Sequence, residues 1–234
     1  MSELSVRFAG IPFKNPVTVA SGTFAFGREY VDFFDLSRLG GIAVKGLTYT
    51  ERQGNRPPRI AETPMGMLNS IGLQNPGYRA FIETELPWLR RFDTVLIANI
   101  TGATPREYAE MAEALGGAGL DLIEINVSCP NVKEGGALFG ASAGGITEVV
   151  TACRRATDAK LMVKLSPNVT DIAEMAKAAE AAGADALSLI NTLLGMRIDI
   201  ATRRPILGNN LGGLSGPAVR PVAVRMVYQV AQAV

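Results

Sequence analysis

The 234-residue sequence contains no histidine. That removes the side chain most often used as a general base near neutral pH, and the commonest metal ligand. Any proton transfer must use Cys, Lys, Asp, Glu or Tyr, and no metal site is expected. Only two cysteines are present, Cys129 and Cys153, too few for a disulfide framework. Charge of one sign is also missing. The 23 basic and 22 acidic residues nearly cancel, and no long basic block appears, so nucleic acid is not an expected partner. No apolar run approaches the roughly 18 residues of a membrane span. The opening "MSELSVRFAGIPFKNP" lacks a charged segment followed by an apolar one, so no secretion signal is read. The expectation is a soluble cytoplasmic protein without membrane attachment. With 47% hydrophobic residues, one globular domain with a sizeable core accounts for the whole length, 1–234.

What is present is a recurring pattern. Short apolar runs appear at 16–21 (PVTVAS), 41–46 (GIAVKG), 94–100 (TVLIANI), 121–127 (DLIEINV), 160–166 (KLMVKLS) and 185–191 (DALSLIN). Near-continuous apolarity over strand length is the mark of parallel strands covered on both faces. Helical patterns lie between them. Thr104, Pro105 and Glu107 form a capping box with proline at the first helical position, and Gly116 and Gly117 are expected to end that helix. Segment 170–185 places Ile172, Met175, Ala179 and Ala182 on one face and stops at Gly183. Further helices are expected over 145–157, 77–89, 28–39 and 216–234. Alternating strand and helix predicts a parallel α/β fold. An open doubly wound sheet would place a glycine-rich phosphate loop after its first strand. That position reads "SGTFAFG", which has no G-x-G-x-x-G spacing. The reading preferred is a (β/α)8 TIM-type barrel truncated to about six βα units. An N-terminal hairpin (4–13) is expected to cap its floor, and a long insertion, 47–77, follows strand 2.

Barrel chemistry gathers at the C-terminal ends of strands. Those positions hold Ser21, Lys45, Asn99, Asn126, Lys164 and Asn191. Lysines at two such ends serve either a salt bridge across the barrel top or a bound anionic or electron-rich ring. Asparagine amides offer donors and an acceptor to the edge of a planar heterocycle without adding charge. In the insertion, Asn69, Gly72 and Asn75 form either a ligand-facing turn or an ordinary surface turn. The two cysteines separate by context. Cys153 sits among Val149, Val150 and Ala156 on a helical pattern and reads as a small buried hydrophobe. Cys129 lies beyond a strand, between serine and proline, on a loop whose glycines allow movement, and reads as functional.

The motifs "KGLT" (45–48), "GNRPPR" (54–59), "NSIGLQNPG" (69–77), "NVSCPN" (126–131), "VKLSPN" (163–168) and "LINT" (189–192) together resemble dihydroorotate dehydrogenase of class 1. "KGLT" and "GMLNSIGLQNPG" are most similar to the 1B subgroup. The resemblance implies a flavin barrel binding FMN that oxidises dihydroorotate to orotate in pyrimidine biosynthesis. It implies that Cys129 is the base that removes the C5 proton while hydride leaves C6 for the flavin. Lys45 would touch both flavin and the orotate carboxylate. Asn69, Ser70, Ile71, Gly72, Leu73, Asn126, Asn131, Asn191 and Thr192 would line the substrate. Ser21, Gly46, Asn99, Asn126, Lys164, Ile190 and Gly216 would hold the flavin. The resemblance also implies a partner subunit carrying FAD and an iron–sulfur cluster that passes electrons to NAD, around a homodimer within a heterotetramer. Two further barrel units, with their phosphate-gripping turn, are expected beyond this sequence, so weak flavin binding is expected of this chain alone. The competing readings are a flavoenzyme of the dihydropyrimidine dehydrogenase type and an inactive fragment.

Overall fold

The computed structural model describes residues 4–127 and 139–234. It opens on an antiparallel hairpin, β1 (Val6–Phe8) and β2 (Ile11–Phe13). Ala9 and Gly10 both carry positive φ, as a two-residue hairpin turn requires. β3 (Thr18–Val19) and β4 (Gly41–Ala43) follow. The chain then makes an excursion through β5 (Ile60–Thr63) and β6 (Gly66–Asn69). It returns with β7 (Val95–Ile100), β8 (Leu122–Asn126), β9 (Leu161–Lys164) and β10 (Ala186–Ser188). It leaves again through β11 (Leu193–Met196), the small ribbon β12 (Ile198–Asp199) and β13 (Arg204–Pro205), and β14 (Leu211–Ser215).

Two sheets result. β3, β4, β7, β8, β9 and β10 pair side by side in chain order, all parallel. This is the α/β arrangement the apolar runs predict. The second sheet is antiparallel, in the order β11-β14-β6-β5. Its β5 and β6 are the β-excursion that the turn residues "QGNRPPR" of the insertion suggest. β11 and β14, its other half, match none of the apolar runs read as strands. Their sequences, "LLGM" and "LGGLS", are short and glycine-containing, and their pairing is set by tertiary contact.

Helices cover one face of the parallel sheet. α1 (Tyr78–Ala80) and α2 (Leu86–Leu89) are joined by a π-helical turn over Phe81–Glu85. α3 (Pro105–Gly117), α4 (Ala143–Ala156), α5 (Ile172–Ala181) and α6 (Arg220–Ala231) follow. The Thr104 hydroxyl accepts from the Glu107 N–H as the capping box requires, while the Glu107 carboxylate accepts from the N–H of Ala103, one residue before the cap. Its far end differs from expectation. Gly116 and Gly117 remain in the helix, and the left-handed residue is Gly119. The helix expected over 28–39 is also absent. Only two 3-10 turns form, Arg28–Tyr30 and Leu36–Arg38. The Asp35 side chain accepts from Ser37 N–H, starting a new turn, and Phe24 stacks on Tyr30.

The parallel register sorts side chains between two faces, because residues paired across strands point the same way. The outer face joins Ile42, Leu96, Ile123, Ile125, Leu161 and Val163 to α3, α4 and α5 in the main core. The inner face forms a smaller cluster of Ala43, Val95, Ile97, Leu122 and Met162, with Phe13 from the hairpin packed into it. The hairpin therefore caps the N-terminal end of the inner face.

Candidate functional site

Along the inner face, chemistry changes with height. At the strand starts the residues are apolar. One or two steps further on, Asn99 pairs in register with Glu124, and Asn126 with Lys164, which pairs with Ser188. Five polar side chains thus sit side by side at the C-terminal end of the sheet, where strands present groups to a ligand. Asn99, Glu124 and Asn126 are buried. Buried polar groups need partners, and these partner one another. Asn99 Nδ2 and Ser188 Oγ each donate to a Glu124 carboxylate oxygen. Asn126 Nδ2 donates to Asn99 Oδ1 at 3.4 Å, and Asn191 Nδ2 to Asn126 Oδ1 at 3.4 Å. The Tyr108 hydroxyl of α3 donates to the Asn126 carbonyl at 2.9 Å and anchors the strand end.

Other expected residues converge on this cluster from the loops. Ser21, two residues past β3, donates to the Val44 carbonyl at 2.7 Å. The Lys45 ammonium lies beside Gly22, 3.5 Å from where a Cβ would stand. Gly46 is a position of close approach: a Cβ there would stand 2.8 Å from Asn99 Oδ1 and 3.4 Å from the Leu73 side chain. The turn after β6 is therefore held against the sheet top. Asn75 fixes that turn, accepting from the Thr48 and Gly77 N–H groups and donating to Thr48 Oγ1 and the Leu73 carbonyl. Gly72 and Leu73 both carry positive φ there. Ile71 accepts from Asn55 N–H, and the Ser70 carbonyl from the Asn55 side chain. Asn69 pairs with Gly213 of β14, where a Cβ would overlap Thr192. Asn69 and Thr192 thus meet across a glycine.

A groove of about 510 Å³ runs up the inner face between the edge strands β3 and β10. Phe8, Phe13, Ala43, Ile97 and Met162 line its lower part. Ser21, Glu124, Lys164, Ser188, Leu189 and Ile190 line its upper part. A second recess of about 260 Å³ shares Leu189 and Ile190 and extends past Asn191 and Thr192 to Gly216 and Arg220. Gly216 precedes the 3-10 turn that leads into α6.

Cys129 and Asn131 lie outside the described residues. β8 ends at Asn126, three positions before that cysteine. Cys153 is buried on the inward side of α4, and burial pushes its thiol up to about 12. That thiol is inert packing, as its setting among valines predicts. Sequence reasoning missed Glu124 and Ser188. The signal was available: an acid at the centre of "DLIEINV" alternates with Asn126, so both point to one face. Among the described residues no helix is long and apolar enough to cross a membrane, and no three His, Cys, Asp or Glu side chains group as metal ligands.

Comparison with known proteins bears on this site. A family model described as dihydroorotate dehydrogenase matches residues 3–234. The chain is 58% identical over 231 residues to the dihydroorotate dehydrogenase B (NAD(+)) catalytic subunit of Alkaliphilus oremlandii, covering 99% of this chain and 76% of that protein. It is 54% identical over 235 residues to the protein of the same name from Geobacillus sp. strain WCH70, covering 100% of this chain and 75% of that one. Among solved structures it resembles DHODH from Eimeria tenella, crystallised in complex with ferulenol. The TM-score is 0.76 at 21% identity, over 100% of this chain and 72% of that one. That structural likeness concerns the fold alone.

Proposed function

The chain belongs to the dihydroorotate dehydrogenase family, and we propose that it is a catalytic subunit of the B type, oxidising dihydroorotate to orotate in pyrimidine biosynthesis. On this reading the parallel sheet is part of a β/α barrel whose upper inner face holds FMN. The observation that carries the assignment is the gathering of neutral amides and lysines at one end of an otherwise apolar inner face, beside the groove. The donor set fits a flavin. Ser21, Lys164 and Ile190 line the groove, Gly46 lets the ligand loops approach Asn99, and Gly216 opens the adjoining recess. Bound FMN supplies the acceptor for the hydride that leaves C6.

The chain's own groups do the rest. Lys45 supplies the cation for the substrate carboxylate. Asn69, Asn126, Asn191 and Thr192 supply donors and acceptors to the ring edge. Ser70 is fully buried, and its hydroxyl has no partner among the described residues. An unmet buried hydroxyl costs about 1–3 kcal/mol, and a substrate oxygen beside residues 69–73 relieves it. Cys129, just beyond β8, takes the C5 proton, and Asn131 joins the substrate contacts. The B-type relatives are named for NAD(+) and as catalytic subunits. The reading therefore includes an electron-transfer subunit with FAD and an iron–sulfur cluster, serving a homodimer in a heterotetramer. The two cysteines of this chain are too few to ligate such a cluster.

The test compares dihydroorotate with dihydrouracil as the donor that bleaches bound FMN without oxygen. Dihydroorotate is expected to be preferred by about 100-fold or more, since Lys45 would otherwise face no carboxylate. Equal or better bleaching by dihydrouracil would move the protein to the dihydropyrimidine group.

A further inference from the structure

The polar chain at the top of the inner face has a direction. It runs Asn191 to Asn126 to Asn99 to Glu124, each Nδ2 donating to the next oxygen. Asparagine could point either way, because its oxygen and nitrogen ends are nearly the same shape. A carboxylate has no such freedom and only accepts. Glu124 is 4% exposed, and its two oxygens take one donor each, Asn99 Nδ2 and Ser188 Oγ. Once Asn99 must donate towards Glu124, its Oδ1 faces Asn126. Asn126 must then donate by Nδ2 and present Oδ1 to Asn191. Asn191 in turn presents Oδ1 to the Thr192 N–H, at 2.8 Å.

We propose that Glu124 is a positioning residue that sets the orientation of all three asparagine amides, and so fixes which ring-edge groups the site accepts. This deepens the function proposed above and rests on it. Asn99 was assigned to the flavin, Asn191 to the substrate, and Asn126 to both. One buried acid thereby couples the polarity of the flavin contacts to that of the substrate contacts. Its position in the wall of the groove places the anchor beneath the ligands. Ser188 serves to satisfy the second oxygen, and does not decide the direction of the chain.

Glu124→Gln keeps the shape but can donate as well as accept, so either amide orientation becomes possible. The variant is expected to keep its circular dichroism spectrum while FMN and orotate each bind about tenfold more weakly, the scale of a mispaired buried hydrogen bond. Ser188→Ala leaves the acceptor-only anchor in place, and its affinities are expected to fall by clearly less than those of Glu124→Gln. A third readout uses the unaltered protein without ligands. Neutron diffraction is expected to place the deuterons of Asn99 Nδ2 towards Glu124 and those of Asn126 Nδ2 towards Asn99. Parental affinities in Glu124→Gln, an equal loss in Ser188→Ala, or a reversed amide in the neutron map would overturn the inference. If Glu124→Gln fails to fold, the neutron map still decides it. Failure of the unaltered protein to bind orotate would instead sink the functional reading, with the neutron map judging Glu124 separately.

Discussion

The two larger sheets of the molecule solve different problems. The parallel sheet is built from strands that follow one another along the chain, and β7 and β8 are buried along their whole length. The antiparallel sheet joins segments from distant parts of the sequence: Asn69 and Gly213, which pair across it, are 144 residues apart. It leaves Ile60, Met67, Leu194, Met196 and Leu211 exposed. The first sheet carries stability and holds polar groups at one end. The second contributes Asn69, with Thr192 just before β11, and has little core beneath it: among the described residues, Ala61, Leu68 and Leu207 with two partly buried neighbours. One surface of the site is thus rigid by burial, and the other is positioned by close backbone approach.

The largest expected difference between the two is in stability. Leu122 is fully buried on the inner face, and Leu122→Ala should cost about 2–5 kcal/mol. Leu194 on β11 is half exposed, and Leu194→Ala should change stability by about 0.5 kcal/mol or less. Urea unfolding of both variants checks this, and equal losses would erase the distinction. Next comes Gly213→Ala, which drives a methyl into Thr192. Overpacking of this kind costs about 1–3 kcal/mol. Because it falls on the cover that the proposed function turns towards the substrate, orotate affinity should drop by about tenfold or more while the parallel sheet stays folded. Isothermal titration beside circular dichroism separates the two effects.

The smallest effect lies at the foot of the parallel sheet. Burial pushes the Asp185 carboxyl up, but the Leu161 N–H, Lys160 and Arg154 outweigh it and hold it below the ordinary aspartate range. A depressed carboxylate contributes stability above its unfolded-state value, and that contribution fades as pH falls through the folded-state value. Asp185→Asn should therefore cost about 1 kcal/mol at neutral pH, with the gap to the parent closing in acid. Thermal unfolding across pH tests the sign, and a gap that widens in acid would contradict it.

Much of this was legible in the sequence because its cause is local. Continuous apolar runs of strand length, bounded by turn residues, read as strands covered on both sides, and Thr104-Pro105-x-Glu107 carries its own cap. The candidate residues at strand ends follow from the same runs: Asn126 and Lys164 close their strands, and Lys45 lies two residues past β4. What could not be read depends on distant partners. Nothing near Gly213 announces that β14 will lie against β6. The apolar spacing of 28–39 looked helical, yet the Asp35 turn and the Phe24–Tyr30 stack divide it. Glu124 was visible as a letter, but its meaning needed Asn99 and Ser188 from neighbouring strands.

The central claim is that ligands sit at the polar end of the inner face, against both sheets at once. A crystal structure of the protein with FMN and orotate tests it most directly. The expected result is flavin beside Ser21, Lys164 and Ile190, with the orotate carboxylate on Lys45 and its ring between Asn69 and Asn126. Ligand density at the opposite end of the groove, among Phe8, Phe13 and Met162, would contradict the account.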